Sequence, residues 1–228
     1  MTQAPPHTSP RVLSRIGGLL YLIVIIGGFY DEVFVRGGLI VSGDAAATAA
    51  NIRSMESLWR FGIASEMVLL MCVVVLAWIF YLLLRPVSRD LALLMLLFDS
   101  VAIAVEAAIQ LPLLAAMFAV GNADLVSLSV RVHAYGFGIA LIFFACTFLV
   151  RGHLIVTSGY IPKAIGVLVQ LAGVGYLVNS FALLLAPAFA NMIFPAILLP
   201  AFIGESSICL WLLFKGVNVA KWEQQVAS

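Results

Sequence analysis

The stretch LALLMLLFDSVAIAVEAAIQLPLLAAMFAV, residues 91–120, is apolar for long enough to cross a lipid bilayer as a helix. It nevertheless contains Asp99, Glu106 and Gln110. At about 100° per residue, these three positions fall within about 40° of one another around a helix, so they form one polar stripe. A carboxylate near the bilayer centre costs about 3 kcal/mol on insertion scales. We therefore expect the stripe to face other helices or a hydrated cavity and to mark a functional site.

The composition of the whole chain indicates the same class of protein. Of the 228 residues, 64% are hydrophobic and 10% are charged, and the mean hydropathy is +1.14. These values are typical of a polytopic membrane protein and leave no room for a separate soluble domain. The net charge of +1 provides no basic stripe for a phosphate backbone, so no nucleic-acid partner is expected.

The sequence contains no pattern that predicts a cofactor or a metal. Cys72, Cys146 and Cys209 stand singly in apolar runs without a CxxC spacing. They are interpreted as small buried hydrophobic residues rather than as a disulfide or metal framework. No nucleotide-binding motif is present either.

The apolar runs predict an all-α bundle of six transmembrane helices. The predicted spans are Ile16 to about Phe34, Phe61–Leu84, residues 91–120, Val132–Val150, Ala164 to about Ala186, and Met192–Phe214. A short extra helix, with Asp44 as its N-cap, is expected in the loop after the first span. Residues 1–10 are expected to be a disordered tail, residues 11–216 the transmembrane domain, and residues 217–228 an interfacial tail with Trp222 at headgroup level.

The basic residues predict the orientation of the chain. Six spans place both termini on one side, and that side carries Arg11, Arg15, Arg85, Arg89, Arg151, Lys163, Lys215 and Lys221. The other side carries four arginines, accompanied by five acidic residues. The positive-inside rule therefore predicts cytoplasmic termini in a bacterial inner membrane.

The intramembrane acids are expected to lie at two depths. At 1.5 Å per residue, Asp99 and Glu205 lie roughly 12 to 14 Å from the cytoplasmic edge, whereas Glu66 and Glu106 lie roughly 22 Å from it. We expect a deeper pair, Asp99 with Glu205, and an outer group of Glu66, Glu106, Gln110, Arg131 and His133. Neighbouring carboxylates in a low dielectric do not both ionise cheaply, so one of each pair is expected to keep its proton.

These residues can serve either chemistry or helix association. As candidate catalytic residues, Asp99 or Glu106 would donate a proton and Glu205 or Glu66 would accept one. The candidate ligand-binding residues are Gln110, Arg131, His133, Tyr135 and Asn179. Alternatively, protonated acids, Asn179 and Gln170 form interhelical hydrogen bonds worth about 0.6 kcal/mol each. His133 has no second histidine near it and is interpreted as a topological or solvated residue rather than a metal ligand.

Several phrases of the sequence resemble one family of uncharacterised bacterial membrane proteins, a domain of unknown function (DUF4386). They are RIGGLLYLIVIIGGFYDEVFVRGGLIVSGDAAATAANI, LLRPVSRDLALL, HAYGFGIALIFF, SGYIPKAIGVLVQLAGVGYLVNSF and PAFIGESSICLWLLFKGVN. The resemblance extends from Arg15 to Val219 and implies a six-helix prokaryotic inner-membrane protein. It implies no established activity, so no functional residue is carried over, although His133, Asn179 and Glu205 lie within the matching phrases.

Three functions remain open from the sequence. The first is binding or acid/base processing of a lipophilic ligand, such as a lipid or isoprenoid, by cyclisation or isomerisation without metal or nucleotide. The second is proton-coupled transport of a small molecule, and the third is a structural or regulatory membrane subunit. Intramembrane acids together with the lack of a nucleotide motif favour the first.

Overall fold

The computed structural model describes residues 9–227, and every regular element in this part of the chain is helical. Six helices are long and apolar enough to cross a membrane, and we call them spans 1 to 6. They are Pro10–Leu39, Glu56–Leu84, Arg89–Phe118, Ala123–Ser158, Lys163–Leu185 and Ala196–Phe214. The predicted all-α fold with six spans is therefore confirmed. Most of the predicted disordered tail, residues 1–8, lies outside the described residues.

The spans form a closed ring. Each span packs on its neighbour in sequence, and span 1 also packs on span 6. The most extensive pair, spans 4 and 5, meets at glycines. A Cβ atom built on Gly152 would lie 2.5 Å from the Gly166 carbonyl oxygen, and one on Gly166 would lie 2.7 Å from the Gly152 oxygen. Small residues of this kind let transmembrane backbones approach closely, which drives helix association in lipid.

The ring is apolar outside and collects polar side chains inside. On span 2, for example, Val68, Met71 and Val75 are exposed on the outer surface, as a lipid-facing helix requires. By contrast, the charged residues Asp31, Glu66, Asp99 and Arg151 are buried. The interior is therefore where a polar site can form.

The loop helix Ala45–Ser54 covers one end of the ring, which we call the loop face. The Asp44 carboxylate accepts the Ala47 N–H at 2.8 Å, which confirms the predicted N-cap. Ile52, a residue of this helix, is fully buried. Arg53 donates to the Val120 carbonyl at 2.7 Å, so the helix is held against the connection between spans 3 and 4.

The opposite end, which we call the terminal face, carries both ends of the described chain. The Leu83 carbonyl accepts the Tyr160 hydroxyl at 2.6 Å and the Trp222 indole N–H at 3.0 Å. Burial raises the pKa of the Tyr160 hydroxyl above its usual value, so this group remains a hydrogen-bond donor. The C-terminal helix Val219–Ala227 is thereby tied to the end of span 2, at the same carbonyl that binds Tyr160 of the loop after span 4. Placement of Trp222 at headgroup level stays a prediction.

Three spans contain interruptions. Span 1 is an α-helix over Pro10–Tyr30, a π-helical turn over Asp31–Arg36 and a final α-helical turn over Gly37–Leu39. Span 3 consists of Arg89–Ala108 and Gln110–Phe118, with the break close to Pro112, which lacks an N–H for the helix ladder. Span 6 begins with the short 3₁₀ turn Ala196–Leu198 and continues as the α-helix Leu199–Phe214, and the separate helix Pro187–Ile193 precedes it.

Span 4 is longer than the sequence indicated. It was expected to end at Val150, but it continues to Ser158 and begins at Ala123, earlier than the expected Val132. The hydropathy falls at Arg131 and again at Arg151, yet neither position breaks a helix. The helix ends only where Gly159 adopts a φ of 72°, in the left-handed region that favours glycine.

Candidate functional site

A small cavity lies between spans 1 to 4, in the half of the ring nearer the loop face. It has a volume of about 30 Å³ and is lined by Glu32, Arg36, Glu66, Glu106, Gln110, His133 and Phe137. We call it the loop-side cavity. A buried water needs about 10–15 Å³ measured in this way, so the cavity has room for about two water molecules. Four residues of the predicted outer group therefore share one cavity.

Span 1 supplies the cation of this cavity. The Arg36 Nε atom lies 2.9 Å from the Glu32 carboxylate, and its Nη1 atom lies 3.5 Å from the Glu66 carboxylate. The predicted end of span 1 at about Phe34 would place Arg36 in the following loop, but the residue belongs to the π-helical turn of span 1. The same turn buries Asp31, whose carboxylate accepts the Ser65 hydroxyl at 2.8 Å. Spans 1 and 2 are thus joined by two polar contacts beside the cavity.

His133 is oriented by the break in span 3. Its Nδ1 atom lies 3.1 Å from the Ile109 carbonyl oxygen, and the side chain is buried, so its interpretation as a solvated residue was wrong. Because a carbonyl oxygen only accepts, Nδ1 carries the hydrogen, and Nε2 of the neutral ring is left as an acceptor. Spans 3 and 4 approach closely here, since a Cβ atom on Gly136 would lie 2.4 Å from the Ile109 side chain. The ring of His133 is therefore held against the lining of the cavity.

Gln110 and Glu106 each place a hydrogen-bond acceptor at the cavity, and neither acceptor has a donor among the described residues. Gln110 is 3% exposed, and its Nε2 donates to the Glu106 backbone carbonyl at 3.4 Å. Its Oε1 atom has no hydrogen-bond partner among the described residues. Glu106 is half-buried, and its carboxylate makes no hydrogen bond to any residue in the part of the chain that the structure describes. The free oxygens of these two side chains are available to a small hydrogen-bond donor.

A second polar cluster, the terminal-side cluster, lies in the other half of the ring. Its centre is an ion pair, with the Arg151 Nη2 atom 3.0 Å from the Asp99 carboxylate. Asp99 is 1% exposed and Arg151 4% exposed. The guanidinium also lies 4.1 Å from the centre of the Phe80 ring and 5.2 Å from that of Phe148, within the range of cation–π attraction. Arg151 was expected at the cytoplasmic end of span 4, and the longer helix places it inside the bundle instead.

The predicted deeper pair is part of this cluster, but the two acids have different partners. The Tyr176 hydroxyl donates to the Glu205 carboxylate, and the Tyr21 hydroxyl also interacts with it. Asp99 is bound to Arg151 instead. A cation and phenol groups satisfy a buried carboxylate better than a second carboxylate does, because they supply positive charge or a hydrogen.

The two groups of acids lie within the range of long-range electrostatic interaction. The carboxyl group of Glu106 is near enough to Glu66 and to Glu205 for their charges to interact. Tyr176, the hydrogen-bond partner of Glu205, is within the same range of Glu106. The polar interior therefore extends from the loop-side cavity to the terminal-side cluster.

The remaining predicted residues lie elsewhere. Arg131 is exposed and donates to the Ser127 hydroxyl at 3.3 Å, Tyr135 is also exposed, and Asn179 is half-buried on span 5 without lining the cavity. The polar interior also contains residues that the sequence analysis did not select, namely Tyr21, Asp31, Arg36, Arg151 and Tyr176. Within residues 9–227, no group of three or more His, Cys, Asp or Glu residues has the arrangement of a metal site.

A ring of six apolar helices around buried polar groups defines a multi-pass α-helical membrane protein. The chain belongs to the family described as a domain of unknown function (DUF4386), whose sequence profile matches residues 16–216. It is 30% identical over 143 residues to an uncharacterised protein of Archaeoglobus fulgidus, and the match covers 62% of this chain and 75% of that protein. No solved structure matches the chain. Neither description assigns an activity.

Proposed function

We propose that this protein moves protons through the interior of its helix ring, as the proton pathway of a small-molecule transporter. One observation carries the proposal: acidic and phenolic side chains follow one another from the loop-side cavity to the terminal-side cluster inside an apolar bundle. Ionisable groups at this depth are costly, and proton relays in transporters are built from such groups. The positive-inside rule makes the terminal face cytoplasmic and the loop-side cavity the outer end of the path.

The first step of the proposed path is proton uptake at the loop-side cavity. Glu32 is largely exposed at its mouth, and Glu66 and Glu106 line it. Arg36 forms ion pairs with Glu32 and Glu66, so these two carboxylates already have a partner. Glu106 makes no hydrogen bond to the described residues, so it is the carboxylate best able to take a proton from water in the cavity.

The second step is transfer toward the terminal face. The Tyr176 hydroxyl bonds to Glu205 and is within electrostatic range of Glu106. A phenol can accept a proton on its oxygen while it donates its own hydrogen, so it can relay a proton without changing its charge. Tyr176 makes no hydrogen bond to Glu106 in the described part of the chain, so a water molecule must connect these two groups. Asp99 completes the path, and its ion pair with Arg151 must loosen before it can take up a proton.

The volume of the cavity favours this proposal over the lipophilic-ligand hypothesis. A pocket for a drug-sized ligand has about 300–1,000 Å³, whereas the loop-side cavity has about 30 Å³. A water molecule or a group of similar size fits this space, but a complete lipid or isoprenoid does not. Acid/base processing of such a ligand would require spans 1 to 4 to separate.

The experiment that tests the proposal measures proton movement into liposomes that contain the purified protein and a pH-sensitive dye. A potassium gradient with valinomycin supplies the driving force, and small solutes are added outside in separate runs. We expect acidification faster than in protein-free liposomes, and at least a tenfold loss of that rate in Glu106→Gln and Glu205→Gln.

Glu56→Gln is the matched control. Glu56 is half-exposed at the start of span 2 and pairs with Arg60, away from the polar interior. Its substitution should leave the rate unchanged. Acidification no faster than in protein-free liposomes, under every condition, would reject the proton pathway and favour a structural subunit.

A further inference from the structure

We infer that the loop-side cavity binds a protonated amine, either ammonium or the R–NH₃⁺ group of a larger molecule. The inference rests on the proposed function only in placing this ligand at the outer end of the proton pathway. It is carried by the acceptor groups of the cavity and by its volume. Both features belong to residues of spans 1 to 4 that pack around one small space.

The strongest indication of a ligand is the unpartnered oxygen of Gln110. This side chain is 97% buried, lines the cavity, and already uses its NH₂ group on the Glu106 backbone carbonyl. Its Oε1 atom has no partner among the described residues. A buried amide oxygen without a hydrogen-bond donor is costly, so a donor is expected in the cavity.

The other groups that line the cavity indicate that the donor is a cation. Glu106 contributes a carboxyl group without a hydrogen-bond partner among the described residues, and His133 contributes Nε2, the ring nitrogen that is not bonded to the Ile109 carbonyl. Arg36 pairs with Glu32 and Glu66, so Glu106 is the carboxyl group of the lining without an ion-pair partner among the described residues, and a cation bound beside it would stabilise its ionised form. The exposed ring of Phe137 adds a π face, which attracts ammonium-type cations.

An N–H cation fits this arrangement better than a metal ion does. The described residues hold no group of three or more His, Cys, Asp or Glu in metal-binding arrangement. An amide oxygen and a carboxyl group on span 3 and an imidazole nitrogen on span 4 suit the divergent N–H groups of an ammonium centre. The volume of about 30 Å³ admits a group of about that size and excludes a bulky quaternary centre.

The source of the amine can be a free solute or a lipid headgroup. The cavity reaches the surface near Glu32, whose side chain is 67% exposed, and Phe137, which is also exposed. A primary amine could therefore enter while the rest of its molecule stays outside. Phosphatidylethanolamine carries such a group, whereas phosphatidylcholine carries a trimethylated nitrogen that has no N–H.

The experiment is equilibrium binding of radiolabelled methylammonium chloride to the purified full chain in nanodiscs, with ammonium chloride and tetramethylammonium chloride as competitors. We expect ammonium to compete and tetramethylammonium not to compete. Gln110→Met keeps the size of the side chain but removes the acceptor, and we expect it to weaken binding about tenfold or more. Gln170→Met is the matched control, because Gln170 lies on span 5 and does not line the cavity.

The lipid composition of the nanodiscs separates the two sources. If the headgroup is the natural ligand, methylammonium binds in phosphatidylcholine nanodiscs and is displaced in phosphatidylethanolamine nanodiscs. If the ligand is a free amine, binding is equal in both.

Two results would overturn the inference. One is failure of methylammonium to bind in either type of nanodisc, and the other is equal binding by wild type and Gln110→Met. If Gln110→Met does not fold, as judged by gel filtration, Glu106→Gln provides the same comparison. Binding is measured without a gradient, so its failure is distinct from failure of proton movement in liposomes.

Discussion

Removal of one partner of the Asp99–Arg151 ion pair should destabilise the protein. The cost in free energy of unfolding should depend on which of the two residues is replaced. Asp99→Asn leaves a guanidinium buried between Phe80 and Phe148 with no anion. Arg151→Met leaves a buried carboxyl group instead. A carboxyl group can become neutral by binding a proton, whereas a guanidinium cannot lose one in a protein. We therefore expect Asp99→Asn to be the more damaging change.

The expected magnitude follows from the burial of the pair. Both residues are at least 96% buried, so water does not replace the lost partner. Breaking a buried pair by removal of one member costs about 3–5 kcal/mol. We expect a cost in this range for Asp99→Asn and about half of it for Arg151→Met. The double variant replaces both charges and should be less damaging than Asp99→Asn alone.

The assay is unfolding in detergent, followed with a thiol-reactive dye. Cys72, Cys146 and Cys209 are free and lie inside the spans, so they react as the bundle opens. The four proteins of the cycle give a coupling free energy directly. Additive costs, within about 0.5 kcal/mol, would show that the charges do not interact and would refute the reasoning.

Two further changes test the packing of the ring and its terminal face. Gly166→Ala places a methyl group 2.7 Å from the Gly152 carbonyl oxygen of span 4, and this clash should cost about 1–3 kcal/mol of stability in the same assay. Gly28→Ala is the control and should not destabilise the protein, because a Cβ atom on Gly28 has no contact within 4 Å. Tyr160→Phe and Trp222→Phe should each cost less than about 1 kcal/mol of stability, because the Leu83 carbonyl keeps one hydrogen-bond donor in either variant. The double variant leaves this carbonyl without a donor and should cost more than the sum of the two single costs. Additive costs would mean that the two donors do not compensate for each other.

The class of fold and one helix cap could be predicted from the sequence because they depend on local properties. Apolar runs of sufficient length determine six spans, and Asp44 caps the loop helix through its own neighbours. Arg151 was misplaced because hydropathy falls at this residue, although the helix continues. The better signal for the end of span 4 was Gly159 followed by Pro162, a pattern typical of a helix C-terminus.

The candidate site was predictable only in part, because partners from different spans cannot be found by helix periodicity. The polar stripe on span 3 indicated correctly that Asp99 and Gln110 would be buried. Nothing local linked Asp99 to Arg151 or Glu205 to Tyr176, since these contacts depend on the order of helices around the ring. Tyr176 lies in the middle of the apolar run of span 5, and nothing in its local sequence predicts a carboxylate partner on span 6.

The π-helical turn in span 1 changes the direction in which the side chains at the end of this span point around the helix axis. In this turn the Gly37 N–H donates to the Glu32 carbonyl, five residues back rather than four. The wider turn contains one residue more than an α-helix would use, equivalent to a rotation of about 100°. Deleting one residue, such as Val33, would restore the α-helical phase and turn Arg36 away from Glu66. At this point the chain length of span 1, and not only its side chains, determines which groups face the cavity.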